Sequence, residues 1–204
     1  MKLLLATHNK NKVIELLGLL TDHTEIEVVT LDDLKIVEEP QETESTFAGN
    51  AQLKAIWAYK KSGLIAMADD SGLQIDALNQ EPGVYSARYL GKDTPYAQKN
   101  EIILKRLENV SDRRARFISA VAIAMPSNDA NQQNPSVILC EGIMEGTLAY
   151  AQKGSNGFGY DPIFCPLGSA ETYASMSTVE KNKVSHRGQA FRKAVLQLTQ
   201  KGTL

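Results

Sequence analysis

The sequence has few of the residues that mark specialised classes of protein. Its 204 residues include two cysteines, Cys140 and Cys165, which are too few for a disulfide framework and lack the spacing of a metal site. We expect both to be buried free thiols. No stretch approaches the roughly 18 apolar residues of a membrane span, and the apolar run at the N-terminus is too short for a signal peptide. These absences predict a soluble, cytoplasmic protein without a membrane partner.

An excess of charge of one sign is also lacking. The 22 basic and 24 acidic side chains leave a formal net charge of −2, so the surface as a whole is not that of a nucleic-acid-binding protein. Any binding of phosphate must come from a local cluster of residues. What the sequence does have is 43% hydrophobic residues. A chain of this length and composition is predicted to form a single domain over residues 1–204.

Short apolar runs alternate with helical patterns along the chain, which is typical of an α/β fold. Strands are predicted over 2–7, 26–30, 64–68, 73–78, 116–124 and 137–143. Helices are predicted over 10–20, 46–61, from 93–95 onward, and over 189–200. The acidic segment 31–44 is predicted to be a loop and 127–135 a polar turn. The residues Asp69-Asp70-Ser71-Gly72 are predicted to break a strand and form a hairpin or bulge.

A polar turn, Thr7-His8-Asn9-Lys10-Asn11-Lys12, follows the first predicted strand and precedes the first helix. Backbone N–H groups at a helix N-terminus attract phosphate, and lysines there add positive charge. The turn lacks the spacing of a P-loop, so kinase or GTPase chemistry is not indicated. Taken alone, the turn is better explained as a capped helix start with solvated lysines.

Acidic residues form two further candidate sites. Asp69 and Asp70 are adjacent carboxylates, which is costly unless a cation lies beside them. Hard oxygen ligands suit Mg²⁺, which commonly uses one or two carboxylates together with substrate phosphates. Glu42 stands in a glutamate-rich stretch ahead of the helix that contains Lys54, and either side chain could reach the same site. The alternatives are an Asp-rich turn and a solvated helix start.

A glycine-rich loop, Gly154-Ser155-Asn156-Gly157-Phe158-Gly159-Tyr160-Asp161, contains two aromatic residues. Aromatic rings on a loop of this kind can stack on a nucleobase, although the loop could also serve only to turn the chain. Lys181, His186 and Arg187 lie ahead of the last predicted helix and can donate hydrogen bonds to a carbonyl or a phosphate. Their alternative role is ordinary surface charge.

Together, these motifs resemble the inosine/xanthosine triphosphate pyrophosphatase family, from Leu3 to the last helix. The six matching segments are Thr7–Lys12, Thr46–Ala55, Ala68–Leu73, Pro82–Tyr89, Gly157–Phe164 and Ser185–Gly188. The resemblance implies an elongated central mixed β-sheet flanked by helices, with two lobes and a nucleotide cleft between them. It also implies a homodimer, a requirement for Mg²⁺, and hydrolysis between the α and β phosphates of deaminated purine nucleoside triphosphates.

The resemblance assigns a role to each candidate residue. Asp70 matches the catalytic carboxylate and Lys54 a catalytic-site lysine, with Asp70, Glu42 and Asp69 as the implied metal ligands. The phosphate-binding turn is Thr7, His8, Asn9, Lys10, Asn11 and Lys12, and Ser71 is a substrate contact. The base-binding side is implied to be Phe158, Gly159, Tyr160, Asp161, Lys181, His186 and Arg187. Lys181 and Arg187 carry only donors, which would favour a 6-keto purine over adenine.

Two positions depart from the family pattern, and two other classes of function stay open. His8 stands where the family often has glycine, and Gly49 stands where it usually has glutamate, so no metal role remains for residue 49. One alternative is a purine nucleotide-binding module without hydrolytic activity, against which the adjacent aspartates Asp69 and Asp70 argue. The other is a phosphatase that releases orthophosphate or acts on a different modified nucleotide.

Overall fold

The computed structural model describes residues 1–127 and 134–200 and has an α/β architecture. Its strands are β1 (Lys2–Leu5), β2 (Glu27–Thr30), β3 (Ile65–Ile75), β4 (Arg114–Met125), β5 (Ser136–Leu148) and β6 (Phe164–Pro166). Its α-helices are α1 (Lys10–Leu19), α2 (Phe47–Ser62), α3 (Tyr96–Arg106), α4 (Thr178–Val184) and α5 (His186–Gln200). Within the described residues, no helix is both long and apolar enough to cross a membrane.

The strands form one mixed sheet in the order β2-β1-β3-β4-β5-β6. Strand β1 pairs in parallel with both β2 and β3, whereas β5 and β6 are antiparallel. The predicted mixed-sheet α/β class is therefore confirmed. Because β1, β2 and β3 run in the same direction, the segments that follow β1 and β2 leave from one edge of the sheet.

Side-chain caps define where the helices begin. Asn9 caps α1 by accepting hydrogen bonds from the backbone N–H groups of Asn11 and Lys12. Thr46 caps α2 through the N–H of Gly49. Each cap satisfies donors that the first turn of a helix leaves without partners. The caps therefore set the start of the two helices that carry Lys12 and Lys54.

The structure corrects the predicted chain path in four places. Strand β3 runs without a break from Ile65 to Ile75, so the predicted interruption at Asp69–Gly72 is wrong. Helix α4 and the short strand β6 were not predicted, and α5 begins at His186 rather than at residue 189. The turn preference of Asp and Gly is overridden on β3 because cationic side chains neutralise its carboxylates. The centre of the predicted turn 127–135 lies outside the described residues.

The chain divides into two compact units, each with its own core. The first unit comprises the described residues of Met1–Asp70, Ser119–Gly142 and Arg187–Leu204. The second comprises Ser71–Ile118 and Ile143–His186. The first core packs apolar side chains of β1, α1 and α5, including Leu3, Leu16 and Phe191. The second core is richer in aromatic residues and includes Phe117, Phe164 and Tyr173.

Candidate active site

The carboxyl ends of the parallel strands gather the acidic and basic residues of the first unit. Leu5 of β1 is in register with Met67 of β3, so β3 continues past the end of β1 and carries Asp69 and Asp70 beyond it. The turn after β1 supplies Lys12, and the loop after β2 supplies Glu42. Ligands of open α/β sheets bind at such strand ends. We call the group formed by Lys12, Glu42, Lys54, Asp69, Asp70 and Arg187 the carboxylate cluster.

Asp69 is held by three donors. Its Oδ2 lies 2.7 Å from the Nζ of Lys12 and 3.2 Å from the Nε of Arg187, and its Oδ1 accepts a hydrogen bond from the hydroxyl of Ser119. The side chain is almost fully buried. Burial by itself would raise the pKa of Asp69, but Arg187 and Lys12 outweigh it and hold that pKa far below the ordinary value. Asp69 is therefore ionised at neutral pH, with both of its oxygens in contact with protein donors.

Asp70 has a different environment although it is the next residue on the strand. Its Oδ1 lies 3.1 Å from the Nζ of Lys54, while its buried Oδ2 has no hydrogen-bond partner among the described residues. Burial raises the pKa of Asp70, Glu42 and Asp69 add to that effect, and the nearby Lys54 and Lys12 oppose it. Two neighbouring carboxylates with oppositely shifted pKa values are typical of an acid–base site.

Lys54 joins the acidic groups to each other. Its Nζ donates to Glu42 Oε1 at 2.8 Å, to the backbone carbonyl of Asp69 at 3.0 Å and to Asp70 Oδ1 at 3.1 Å. These three acceptors match the three protons of a lysine ammonium. Burial acts to lower the pKa of Lys54, but Asp70 and Glu42 together reverse that effect and raise it. Lys54 is therefore charged at neutral pH and holds Glu42 and Asp70 on either side of it.

The turn Thr7–Lys12 contacts the carboxylate cluster through Lys12, and some of its backbone N–H groups already donate hydrogen bonds within the turn. The carboxamide oxygen of Asn9 accepts from the N–H groups of Asn11 and Lys12, at 3.1 and 3.3 Å, so these two donors serve the helix cap. Burial lowers the pKa of Lys12, and Lys54 and Arg187 act in the same direction against Asp69. Lys10 is exposed. Lys12 is thus the lysine of the turn that the fold places in the carboxylate cluster.

His8 ties the turn to the acidic loop. Its Nδ1 lies 3.0 Å from Asp32 Oδ1, and its backbone N–H donates to Glu39 Oε1 at 3.2 Å. A glycine at this position would keep the second contact and lose the first. The departure from the family pattern at His8 therefore adds a side-chain link between residues 7–12 and the loop 31–44.

Arg187 belongs to the carboxylate cluster rather than to the loop residues of the second unit. Its Nη1 pairs with Glu15 Oε2, and its Nε with Asp69 Oδ2, with all three side chains buried. The role of Arg187 as a donor to the base stays a prediction. Sequence reasoning missed Glu15, whose only signal is a carboxylate next to Leu16 on a helix face that is otherwise apolar.

In the second unit, Asp161 organises the glycine-rich loop. Its Oδ2 accepts from the backbone N–H of Phe158 at 2.8 Å and from the Nζ of Lys181 at 2.5 Å. A Cβ on Gly157, whose φ is +70°, would lie 2.1 Å from that same oxygen, so only glycine fits there. The Nζ of Lys181 also lies 5.0 Å from the centre of the Phe158 ring, within the range of a cation–π contact.

Two predicted base contacts are part of the second core. Tyr160 is buried, donates its hydroxyl proton to the carbonyl of Ser86 at 2.8 Å and meets Tyr96 edge to face. His186 is buried and stacks on Phe117 at 4.6 Å with nearly parallel planes. Both side chains are therefore packed against aromatic residues of the second unit in this structure. Ser71, the first residue of the second unit on β3, is half-buried.

Gly159 is fixed by a residue that the sequence did not single out. The side-chain amide of Asn100, on α3, donates to the carbonyl of Gly159 at 3.1 Å. Its carboxamide is almost fully buried. A single asparagine within a helical pattern carries no sequence signal for such a contact, because it depends on how α3 and the loop pack.

No group of three or more His, Cys, Asp or Glu side chains in the described parts of the chain is arranged to hold a metal ion. The acidic residues of the carboxylate cluster are instead interleaved with lysine and arginine. Such a cluster suits an anionic ligand, such as a polyphosphate, whose own oxygens supply part of the coordination of a metal ion.

Comparison with known proteins assigns the chain to a family. The sequence model of the Ham1 family matches residues 3–197. The chain belongs to the Ham1 family. A Ham1 relative from Caulobacter vibrioides, named dITP/XTP pyrophosphatase, is 45% identical over 194 residues, which cover 94% of this chain and 95% of the relative.

Solved Ham1 structures share the whole fold. The HAM1 protein of Coxiella burnetii superposes with a TM-score of 0.85 at 41% identity and covers 98% of this chain and 99% of its own. The Ham1 protein of Staphylococcus aureus gives a TM-score of 0.81 at 34% identity, with both chains covered completely. The family resemblance seen in the sequence is thereby confirmed for the full length of the Ham1 domain.

Proposed function

We propose that this chain hydrolyses deaminated purine nucleoside triphosphates (ITP, dITP and XTP) to the monophosphate and pyrophosphate, which removes them from the nucleotide pool. Relatives named dITP/XTP pyrophosphatase, 44–45% identical over more than nine-tenths of the chain, support this proposal. The observation that carries it is Asp70, a buried carboxylate with one unpartnered oxygen, which lies between lysines at the carboxyl ends of parallel strands.

Asp70 is the proposed general base. Its raised pKa makes it a better proton acceptor than an ordinary aspartate, and the ammonium group of Lys54 favours its ionised form. Its Oδ2 has no competing hydrogen-bond donor among the described side chains, so it is available to a water molecule. Asp69 does not fit this role, because both of its oxygens are already bonded.

The residues present fit a magnesium ion, which we propose as the cofactor. The carboxylates of Asp70 and Glu42, both next to Lys54, would hold it. When bound, Mg²⁺ supplies neutralisation of phosphate charge and orients the triphosphate. We remove Asp69 from the predicted ligand set, because Lys12, Arg187 and Ser119 occupy its oxygens.

Lys12 and Lys54 are proposed to stabilise the charge that develops on the phosphate oxygens. Both ammonium groups are fixed by bonds to the carboxylates and to the carbonyl of Asp69, so little reorganisation is needed during the reaction. In this proposal Arg187 acts indirectly, because it holds Asp69, and Asp69 in turn holds Lys12.

The glycine-rich loop is proposed to bind the base. Phe158 offers a ring for stacking, and Lys181 next to it offers donors for a 6-keto oxygen. Adenine presents an amino group at that position, which cannot accept those hydrogen bonds. The Asp161–Lys181 pair fixes the position of both recognition groups. A homodimer and a cytoplasmic location stay predictions from the sequence.

The test is a panel of nucleoside triphosphates with Mg²⁺, in which pyrophosphate and orthophosphate are measured separately. We expect release of pyrophosphate from ITP, dITP and XTP, and far slower turnover of ATP. Asp70→Asn is the matched control, since it keeps the size of the side chain and removes the base. Tight binding without turnover would indicate a nucleotide-binding module instead, and release of orthophosphate a phosphatase.

A further inference from the structure

Asn50 is a fully buried polar residue on α2, one helical turn before Lys54. Its carboxamide makes two hydrogen bonds to the backbone of a single residue of the preceding loop, Glu44. The Oδ1 accepts from the backbone N–H of Glu44 at 3.0 Å, and the Nδ2 donates to the carbonyl of Glu44 at 3.3 Å. A buried amide that is satisfied by one residue in this way attaches that residue firmly to the helix.

The attached residue lies two positions from Glu42. Asn50 and Lys54 are four residues apart, so they project from the same face of α2. Asn50 holds the backbone of the acidic loop at Glu44, and Lys54 holds the carboxylate of Glu42 at 2.8 Å. The loop 31–44 has no regular hydrogen-bonding pattern over residues 36–44 that would fix Glu42 by itself.

Gly49 brings the loop close to the helix. A Cβ at this position would lie 2.7 Å from the Cβ of Glu44 and 3.1 Å from the Oγ1 of the capping residue Thr46. The contact at 2.7 Å is with the base of the Glu44 side chain, which cannot move without its backbone. The absence of a side chain at residue 49 is therefore a condition for the clamp between Asn50 and Glu44.

We propose that Asn50 is a positioning residue that sets the place of Glu42 beside Lys54 and Asp70 by clamping the backbone of Glu44 on both sides of its Cα. This inference rests on the proposed function, in which Glu42 and Asp70 hold the metal ion. Asn50 touches neither the substrate nor the reacting atoms in this scheme. Its effect is to fix one acidic ligand before the triphosphate arrives.

The first test is Asn50→Leu, which keeps the approximate size of the side chain and removes both hydrogen bonds. We expect hydrogen exchange at the Glu44 amide to accelerate about tenfold, as the loss of one ordinary hydrogen bond implies. We also expect the Mg²⁺ concentration for half-maximal activity to rise about 10- to 100-fold, the usual effect of removing a group that orients a metal ligand. At saturating Mg²⁺, kcat should recover.

Ser62→Ala is the matched control. It removes a side-chain hydrogen bond to Ala58 at the far end of the same helix, and so reports what a general loss of α2 stability does. Its Mg²⁺ dependence should equal that of the unaltered protein. If Ser62→Ala shifted the Mg²⁺ dependence as much as Asn50→Leu, the effect would be one of helix stability and the proposal would be wrong.

Gly49→Ala is an independent second variant that leaves Asn50 in place. It should displace Glu44 and shift the Mg²⁺ dependence in the same direction as Asn50→Leu. A Mg²⁺ dependence that is unchanged in both variants would overturn the clamp. Calorimetric titration of Mg²⁺ into the nucleotide-free protein, with the unaltered chain for reference, tests the clamp separately from the proposed hydrolytic function. Weaker Mg²⁺ binding in both variants would support the clamp even if no triphosphate were hydrolysed, and equal binding would count against it.

Discussion

At the scale of single residues, the contrast between Asp69 and Asp70 is the central feature. Adjacent positions on β3 give one carboxylate three donors and leave the other with an unpartnered oxygen. The pKa of Asp69 is lowered and that of Asp70 is raised by their different neighbours. Identical chemistry therefore yields one residue that holds the structure and one that is suited to proton transfer.

This contrast predicts opposite effects on stability. Because the pKa of Asp69 is lowered in the folded state, its ionised form stabilises the fold at pH values above 3.8, the pKa of an ordinary aspartate. Asp69→Asn should therefore lower the melting temperature at pH 7. Removing one partner of a buried ion pair costs about 3–5 kcal/mol. A raised pKa means that ionised Asp70 opposes folding at pH 7, so Asp70→Asn should raise the melting temperature while it abolishes turnover. Thermal melts of both variants at pH 7 check this; the same sign in both would contradict it.

Lys54 is predicted to set the pH dependence of turnover. It lowers the pKa of Asp70 against the effects of burial and of Glu42. Lys54→Met should therefore move the acidic limb of the kcat/KM profile to higher pH, because Asp70 would then ionise only at higher pH, and should lower the plateau as well. Lys60→Met, an exposed lysine on the same helix, should leave the profile unchanged. An acidic limb that stays in place in Lys54→Met would show that another group controls it.

At the scale of elements, the loop between Gly154 and Asp161 depends on contacts that its composition only suggests. Glycines at 157 and 159 adopt positive φ values, +70° and +69°. Only the first is also required by space, since a Cβ at Gly159 would meet nothing closer than Tyr96 at 3.7 Å. Gly154, whose φ is +77°, is crowded as well, because a Cβ there would lie 2.2 Å from the backbone of Ala174. The loop is therefore held by two crowded glycines, Gly154 and Gly157, and by Asp161.

Gly157→Ala is predicted to impair recognition of the base rather than the chemical step. The added Cβ would collide with the Asp161 oxygen that holds Phe158 and Lys181, so both would shift. We expect KM for ITP to rise roughly tenfold or more, as for a misplaced recognition group, with a smaller change in kcat. Gly159→Ala is the control, because it shares the positive φ without the collision and should show a smaller rise. Equal effects in the two variants would assign the defect to backbone strain alone.

At the scale of the whole molecule, each of the two units encloses its own core. The first is aliphatic for the most part and is closed by α5, whereas the second contains aromatic rings in edge-to-face and stacked contacts. The carboxylate cluster stands on the first unit and the glycine-rich loop on the second. The residues proposed for phosphate chemistry and those proposed for the base are thus supported by separate cores.

Helix α5 is predicted to contribute strongly to the stability of the first unit. Phe191 is buried in its core, so Phe191→Ala should lower the free energy of unfolding by about 3–5 kcal/mol. Leu196→Ala on the same helix is the control. Because that leucine is 57% exposed, its loss should cost no more than about 0.5 kcal/mol. Denaturant titrations measure both values. A small effect of Phe191→Ala would mean that α5 is not required to close the core.

The sequence by itself determined the alternation of strands and helices, the family and most of the candidate residues. Local patterns were sufficient for α1, α2 and β4. The caps of the two helices and the apolar pattern of the strand are each encoded within a few neighbouring residues. Local patterns failed at Asp69–Gly72, where turn-forming residues continue a strand. The carboxylates there are neutralised by Lys12, Lys54 and Arg187, which are distant in sequence, so a local pattern cannot predict the effect.

Only the tertiary structure decided how the site residues divide their roles. Arg187 resembled a base contact in the sequence and became part of an ion-pair network with Glu15 and Asp69. Glu15, Asn50 and Asn100 carry no motif, and their contacts are made by packing between elements. The physical reason is that burial and the nearest charge set what a polar side chain does, and both depend on residues far away in the chain.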